Sequence, residues 1–213
     1  MVKHIVWDWN GTLLHDVDIV VRTMNETLVQ VGFTPVTVEE YRAAYCRPIR
    51  TFYAKLVGRE LSDEEWVWLD DAFHDIYHVR ARECVLSPGA ERALDEWCDL
   101  GGSQSLLSMY HHDQLVALVD KHGIAGYFSR VDGLRDAHGD HKAEFLVRHL
   151  QEQQLEPTEV LVVGDSVDDA HAAWHVGARC ALYSGGFHDA ASLAATDLPV
   201  VSSLGEAVAL ASR

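Results

Sequence analysis

Two aspartates that follow short apolar runs are the first candidates for chemistry in this sequence. Asp8 comes directly after Ile5-Val6-Trp7, and Asp165 closely follows the run 160–163. Each run is typical of a buried strand, and Gly11 allows the chain to turn tightly after Asp8. Because ligands bind at the carboxyl ends of strands in open α/β sheets, we expect both carboxylates at one edge. Their oxygens would suit a hard cation such as Mg²⁺.

Ser108 and Lys142 add a hydroxyl and an ammonium group to these acids. Ser108 follows Ser105-Leu106-Leu107, a further predicted strand, and Lys142 opens a predicted helix. The lysine charge and the helix N-terminus can both stabilise an anion. A carboxylate nucleophile, a metal ion, a hydroxyl and a lysine on one rim are the groups that in-line phosphoryl transfer requires.

Alternating strands and helices are predicted to position these residues. Helices are expected after Ser87-Pro88-Gly89, with Ser87 as cap and Pro88 in the first turn, and over 113–122 and 142–154. An alanine-rich helix ends at Gly177, and strands are expected at 105–107, 160–163, 180–183 and 200–201. We therefore expect a three-layer α/β/α Rossmann-like core with a parallel sheet and right-handed crossovers.

The segment between the first two strands is predicted to be entirely helical. Apolar residues at helical spacing follow Asp16 as far as Gly32, and Thr37 and Ser62 each begin a capping-box pattern. We expect a core domain formed by residues 1–16 and 84–213, with an inserted all-helical cap domain over residues 17–83.

Length and charge limit the classes of function. The 213 residues, 48% of them hydrophobic, are enough for one sizeable domain with an insertion. Seventeen basic residues against 33 acidic ones give a net charge of −16, which disfavours nucleic acid and anionic membranes as partners. An anionic substrate therefore needs a local positive group or a metal ion.

Cysteine usage and the absence of long apolar runs predict a cytoplasmic location. The four cysteines are scattered without a Cys-x-x-Cys pair, so we expect free thiols rather than disulfides or a zinc site. The sequence runs into its first strand without a basic and then apolar leader, and no run reaches the roughly 18 apolar residues of a membrane span. We therefore expect no membrane partner, and the sequence predicts no oligomeric state.

Four motifs in chain order resemble one known family. The motifs Asp8-x-Asn10-Gly11-Thr12, Ser108, Lys142 and Gly164-Asp165-Ser166-x-Asp168-Asp169 resemble the haloacid dehalogenase superfamily, in particular its phosphoglycolate-phosphatase-like members with a helical C1-type cap. The resemblance covers nearly the whole chain, including the Ser184-Gly185-Gly186-Phe187 loop. It implies a Mg²⁺-dependent phosphatase that acts on a small phosphorylated metabolite through an aspartyl-phosphate.

The resemblance also implies a role for each motif residue. Asp8 would be the nucleophile, Thr12 would tie down the loop that follows it, and Asp168 would assist Asp169 in supporting the metal through water or Lys142. The catalytic set would be Asp8, Asn10, Ser108 and Lys142. Metal ligands would come from Asp8, the main-chain carbonyl of Asn10, Asp165 and Asp169, and substrate contacts from Thr12, Arg47, Ser108, Met109 and Lys142.

Asn10 departs from the family pattern, which has a general acid–base aspartate at this position. An amide cannot exchange a proton at neutral pH, and such help is typically worth ~10²–10⁴-fold in rate. Three outcomes remain open: an acyl phosphate or anhydride substrate, a slow phosphatase in which Asn10 only orients water, or a non-catalytic or regulatory phosphate-binding protein. A dehalogenase is disfavoured because that branch has no need of the metal-binding acids.

Several residues near these motifs have both a functional and an ordinary interpretation. Arg47 and Arg50 flank Pro48 and either reach the far end of a substrate or balance surface charge. Trp9 is expected to line the cleft. His111, His112, His138 and His141 are placed in loops near the rim, where chance proximity is the default explanation.

Overall fold

The computed structural model describes residues 1–135 and 141–213, so His138 lies outside the described residues. A six-stranded parallel sheet has the order β5-β4-β1-β6-β7-β8. Its strands are β1 (His4–Trp7), β4 (Ser103–His111), β5 (Val131–Leu134), β6 (Val160–Gly164), β7 (Arg179–Tyr183) and β8 (Val200–Val201). A separate antiparallel pair consists of β2 (Leu14–His15) and β3 (Val85–Leu86).

Six helices belong to the chain that follows β3. They are α5 (Ala90–Asp99), α6 (His112–Lys121), α7 (Ala143–Glu152), α8 (Val167–Val176), α9 (Ala190–Ala194) and α10 (Leu204–Ala211). Buried residues of α5, α6 and α10 join one apolar cluster, and those of α7, α8 and α9 join a second. The helices therefore form two layers.

Strand side chains alternate between these two clusters. Ile5 and Trp7 belong to the first cluster and Val6 to the second, and β6 divides in the same way. This period of two is the geometry of a strand whose two faces are both buried. The sheet thus lies between two helical layers, which confirms the three-layer α/β/α prediction.

The predicted helical insertion contains α1 (Val17–Gln30), α2 (Val38–Ala44), α3 (Ile49–Val57) and α4 (Asp63–Arg80). Both predicted capping boxes are present: Thr37 accepts a hydrogen bond from the Glu40 amide, and Ser62 accepts one from the Glu65 amide. At the two ends of the insertion, β2 and β3 pair through Leu14 and Leu86, which holds the outgoing and returning chain together.

Two local predictions were wrong. Helix α5 begins at Ala90 with Gly89 as its N-cap in the left-handed conformation (φ 77°), so Ser87 does not cap it and Pro88 lies outside its first turn. Strand β4 continues to His111, so Ser108 lies within the strand rather than after it. In both cases the hydrogen bonding of the surrounding chain decides the element boundary, and residue type alone does not reveal it.

None of the helices within residues 1–135 and 141–213 is both long and apolar enough to cross a bilayer. The four cysteines, Cys46, Cys84, Cys98 and Cys180, are free, as predicted. The cytoplasmic location stays a prediction.

Candidate active site

Three buried carboxylates meet at the carboxyl edge of the sheet. Asp8 follows β1, Asp165 follows β6, and Asp169 lies in the first turn of α8. One oxygen from each lies within 4.8 Å of the others, and all three residues are buried. A set of carboxylate oxygens at this spacing fits a hard divalent cation.

Lys142 is the cation that contacts this cluster directly. It is the N-cap of α7, and its Nζ lies 2.5 Å from Asp8 Oδ1 and 2.6 Å from Asp169 Oδ1. Burial alone would lower the pKa of Lys142, but Asp169 and Asp8 outweigh burial and raise it. The side chain is therefore a fixed positive charge beside the predicted nucleophile.

Negative charge exceeds positive charge within the cluster. Burial raises the pKa of Asp8 to about 6 although Lys142 opposes the shift. Burial also raises the pKa of Asp165 well above its usual value, and Asp8 and Asp169 add to the effect. For Asp169, Lys142 outweighs burial and lowers the pKa. Three carboxylates and one lysine leave a charge that a divalent cation would neutralise.

Contacts from two loops hold the Asp165 carboxylate in place. Its Oδ2 accepts the Phe187 amide at 2.6 Å, and its Oδ1 accepts the Thr12 hydroxyl at 3.2 Å. Gly11 has a φ of 71°, and a Cβ there would lie 2.6 Å from Asp165 Oδ2. A Cβ on Gly186 would lie 2.1 Å from the same oxygen. Both loops thus need glycine to approach the carboxylate.

Thr12, which was predicted to tie down the loop after Asp8 and to contact substrate, is fully buried. Its hydroxyl lies between Asp165 and Asp8, at 3.2 and 3.5 Å from their oxygens. Thr12 is not among the cavity-lining residues within the described ranges. The position supports a role in orienting the two carboxylates rather than the predicted contact with substrate.

Asp168 contacts the backbone of Lys142, the residue through which it was expected to support the metal. Its Oδ2 accepts the backbone amide of Lys142 at 3.0 Å, and its Oδ1 lies 3.1 Å from His141 Nδ1. Arg47 Nε lies 3.7 Å from the same Oδ2. Asp168 therefore fixes the start of α7, and with it the lysine, and also faces an arginine of the insertion.

A cavity of about 180 Å³ opens between the carboxylate cluster and the inserted helices. Of the predicted substrate contacts, Arg47, Ser108, Met109 and Lys142 line it. The Ser108 hydroxyl accepts the Tyr110 amide at 3.1 Å, so its own hydrogen stays available to an anion. Arg50 instead pairs with Asp63 at 2.7 Å and is absent from the described cavity wall.

Asn10 belongs to a buried polar group that the sequence did not predict. Its Nδ2 donates to Asp16 Oδ2 at 2.8 Å and to the Tyr77 hydroxyl at 2.6 Å. Tyr77, on α4, in turn donates to Asp16 Oδ2 at 2.5 Å. The Gly11 amide donates to Asp16 Oδ1 at 2.8 Å. An inserted helix is thereby joined to the loop that follows the predicted nucleophile.

The hydrogen bonds of this group stabilise the negative charge of Asp16 only partly. Burial raises the pKa of Asp16, although the hydrogen bonds from Tyr77, Asn10 and Gly11 oppose the shift. Burial also raises the pKa of Tyr77, and the nearby Asp16 adds to it. The signal in the sequence was a further aspartate in the motif segment, but its partner Tyr77 is 61 residues away.

Trp9 was expected to line the cleft, and this prediction was wrong. Its side chain is fully buried in the larger apolar cluster, with its ring 6.1 Å from that of His122. The turn that begins after Asp8 places Trp9 in the same apolar cluster as Trp7, away from the cavity that Asp8 lines.

Comparisons with known proteins agree with this geometry. Residues 2–196 match the haloacid dehalogenase-like hydrolase family. A phosphoglycolate phosphatase from Vibrio vulnificus is 26% identical over 205 residues, which cover 92% of this chain and 90% of the relative. A phosphoglycolate phosphatase from Rhodobacter capsulatus is 22% identical over 190 residues, with 88% and 86% covered.

Solved structures share the fold over nearly the full length. A haloacid dehalogenase-like family hydrolase from Streptococcus pneumoniae has a TM-score of 0.84 at 20% identity and covers 98% of both chains. A CbbY variant from Rhodobacter sphaeroides, in complex with xylulose-(1,5)bisphosphate, has a TM-score of 0.75 at 20% identity and covers 97% of this chain and 96% of its own. The chain is an enzyme of phosphatase type and belongs to the haloacid dehalogenase-like hydrolase family.

Proposed function

We propose that this chain is a Mg²⁺-dependent phosphatase that hydrolyses a small phosphorylated metabolite through an aspartyl-phosphate on Asp8. The observation that carries the proposal is the placement of Asp8 at a cavity, beside Lys142 and two further buried carboxylates. Relatives named phosphoglycolate phosphatase support a phosphate monoester as the substrate class.

The proposed roles follow from these positions. Asp8 attacks the phosphorus atom, while the Lys142 ammonium and the Ser108 hydroxyl hold the transferring oxygens. Arg47 lies near the same end of the cavity through its contact with Asp168, so we assign it to the phosphoryl group. Mg²⁺ would be held by Asp8, Asp165, Asp169 and the Asn10 carbonyl. When bound, it would neutralise charge on the phosphoryl group.

We assign residues 17–83, which contain the inserted helices, to a cap domain. Residues 1–16 and 84–213 form the core domain that it covers. Three contacts support this division because they join the two parts around the cavity: Tyr77 to Asp16, Arg47 to Asp168, and Arg42 to the Gly186 carbonyl at 2.8 Å. A cap in this position would exclude water from the phosphoryl group.

The direct test is Mg²⁺-dependent phosphate release by the wild-type chain and by Asp8→Asn, with Asp120→Asn as a matched control. Asp120 is an exposed acid on α6. We expect Asp8→Asn to lose turnover completely while its melting temperature stays close to that of the wild type, because only the nucleophilic oxygen is removed. Full activity in Asp8→Asn would overturn the covalent mechanism.

A further inference from the structure

Aromatic side chains form much of the cavity wall. They come from α2, the segment after it, α3, α4 and the loop after β7, and they are Tyr41, Tyr45, Phe52, Tyr53, Phe73 and Phe187. A dry apolar cavity of roughly 150 Å³ accommodates one benzene ring. The cavity here, at about 180 Å³ with the phosphoryl site included, limits the substrate to a single ring.

Charge on the same wall disfavours a second anionic group. Five aspartates line the cavity, against the permanent cations Arg47 and Lys142 among the described residues. Both cations already face carboxylates, Lys142 at Asp8 and Asp169 and Arg47 at Asp168. Asp70 lies about 10 Å along α4 from Tyr77, which places a further acid away from the phosphoryl end. A carboxylate or second phosphate would therefore meet net negative charge.

Asn10 and Tyr77 cannot supply a proton to a leaving group. A carboxylate only accepts hydrogen bonds, so the amide must turn its Nδ2 toward Asp16. Both hydrogens of Nδ2 are then used, one by Asp16 and one by the Tyr77 hydroxyl. Tyr77 uses its own hydrogen on Asp16. The leaving oxygen must depart without a proton from either side chain.

We infer that the substrate is an aryl phosphate, with one phosphate on the oxygen of a single aromatic ring. The inference rests on the proposed phosphatase function and names its substrate class. Two independent observations agree on it: an aromatic wall that fits a ring, and an amide that suits a leaving group needing no proton. A phenol, like tyrosine, has a pKa of ~10, whereas an alcohol is nearer to water at ~15.7.

The reaction balances without an additional reagent. A carboxylate oxygen of Asp8 bonds to phosphorus, the bond from phosphorus to the ring oxygen breaks, and its electron pair leaves with the phenolate. The phenolate takes its proton from solvent. The oxygen of a water molecule then bonds to phosphorus, and the bond to Asp8 breaks with its electrons returning to the carboxylate. One proton of the water stays on the phosphate and the other returns to solvent, which balances the proton taken by the phenolate.

The test compares kcat/KM for four compounds that vary ring and leaving group separately: phenyl phosphate, benzyl phosphate, acetyl phosphate and phosphoglycolate. Phenyl phosphate should exceed benzyl phosphate by about 10²–10⁴-fold, the value of the missing general acid. Its KM should be at least about tenfold below that of acetyl phosphate, because the ring is buried in the cavity. Equal or greater kcat/KM for benzyl phosphate or phosphoglycolate would overturn the inference.

A positive charge added to the cavity wall should reduce the preference for phenyl phosphate over phosphoglycolate. Ile49 lines the cavity on α3, whereas Val67 is exposed on α4 and is absent from the described wall. Ile49→Lys should reduce the preference for phenyl phosphate over phosphoglycolate by about tenfold or more, because the new cation attracts the glycolate carboxylate. Val67→Lys carries the same charge change and should leave the ratio unchanged. Equal ratios in both variants would contradict the inference.

A second wall variant covers the case in which Ile49→Lys does not fold. Phe73 is half-buried, and Phe73→Leu should raise the KM of phenyl phosphate several-fold more than that of acetyl phosphate. An equal rise for both compounds would count against a ring subsite. Failure to release phosphate from any of the four compounds above the Asp8→Asn background would overturn the proposed function together with the inference. Release led by phosphoglycolate would overturn the inference alone.

Discussion

Asn10 and Asp16 are joined by a 2.8 Å hydrogen bond in which only the amide can donate. The acid of this pair is buried: Asp16 is fully inaccessible and is not among the cavity-lining residues of the described chain. The amide of Asn10 faces the cavity instead, and it can accept a hydrogen bond but cannot transfer a proton. In the mechanism proposed above, this pair limits, at the residue scale, the leaving groups that the site can expel.

Exchanging the two side chains should add general acid catalysis. In Asn10→Asp alone, two carboxylates at hydrogen-bond distance cannot both ionise, so we expect a lower melting temperature and a moderate gain in benzyl phosphate turnover. The double variant Asn10→Asp/Asp16→Asn keeps one amide and one carboxylate. It should recover the melting temperature and raise kcat/KM for benzyl phosphate by about 10²–10⁴-fold.

Phenyl phosphate provides the control for this exchange, since its leaving group gains little from an added proton donor. Its kcat/KM, which excludes the later hydrolysis of the shared aspartyl-phosphate, should change much less than that of benzyl phosphate in the double variant. A double variant that melts like the wild type but shows no gain on benzyl phosphate would contradict the role given to Asn10.

At the scale of elements, a polar chain crosses the buried part of the sheet. His4 on β1 contacts the hydroxyls of Ser103 and Ser105 on β4, each at 2.7 Å. Ser105 contacts His149 on α7 at 2.7 Å, and His149 Nδ1 lies 2.7 Å from Asp132 on β5. Because β4 and α7 also carry Ser108 and Lys142, this network helps to set the spacing of the site.

His4 should make stability depend on pH. Burial lowers the pKa of His4 to about 4, and the neighbouring His149 adds to the shift. An unfolded histidine titrates near ~6.5. Above that pH both states are neutral, and stability is complete. As the pH falls from about 6.5 to 4, only the unfolded ring binds a proton, so unfolding becomes easier by up to ~3 kcal/mol.

Urea unfolding of the wild type and of His4→Gln at pH 7.0 and 4.5 measures this effect. The wild type should lose more stability between the two pH values than the variant does. The comparison isolates His4 because all other ionisable groups are common to both proteins. Identical losses in the two proteins would show that His4 titrates in the folded state as it does in the unfolded one.

At the scale of the whole molecule, the charges at the cavity affect ion binding more than the net charge of the chain does. The net charge of −16 repels anions at long range, and salt screens that repulsion beyond ~10 Å. At the cavity, by contrast, buried carboxylates lie too close together to be screened. A divalent cation bound there should favour the folded state over the unfolded one, because the unfolded chain does not hold the acids together.

Mg²⁺ should therefore raise the melting temperature. At a concentration 100-fold above the dissociation constant, binding adds ~2.7 kcal/mol, which corresponds to about 5–10 °C for a chain of this size. Asp165→Asn should remove most of the shift, and Asp113→Asn, an exposed acid on α6, should retain it. An undiminished shift in Asp165→Asn would contradict the proposed metal site.

Local patterns in the sequence were sufficient for the elements and their order. Apolar runs correctly located β1, β6 and β7, and the capping boxes at Thr37 and Ser62 located the starts of α2 and α4. These features depend on residues a few positions apart, so the sequence contains all that they need. The placement of Asp8 and Asp165 after strands, and of Lys142 at the start of a helix, followed from the same patterns.

Only the tertiary structure decided what surrounds those residues. Tyr77 meets Asp16 across 61 positions, Lys142 meets Asp8 across 134, and the aromatic wall combines several elements of the insertion with the loop after β7. Such contacts depend on how helices pack over the sheet edge, and neither periodicity nor residue type encodes that packing locally. The direction of Trp9 and the extent of β4 were mispredicted for the same reason. The sequence alone determined that phosphoryl chemistry was available, and packing decided which groups surround it.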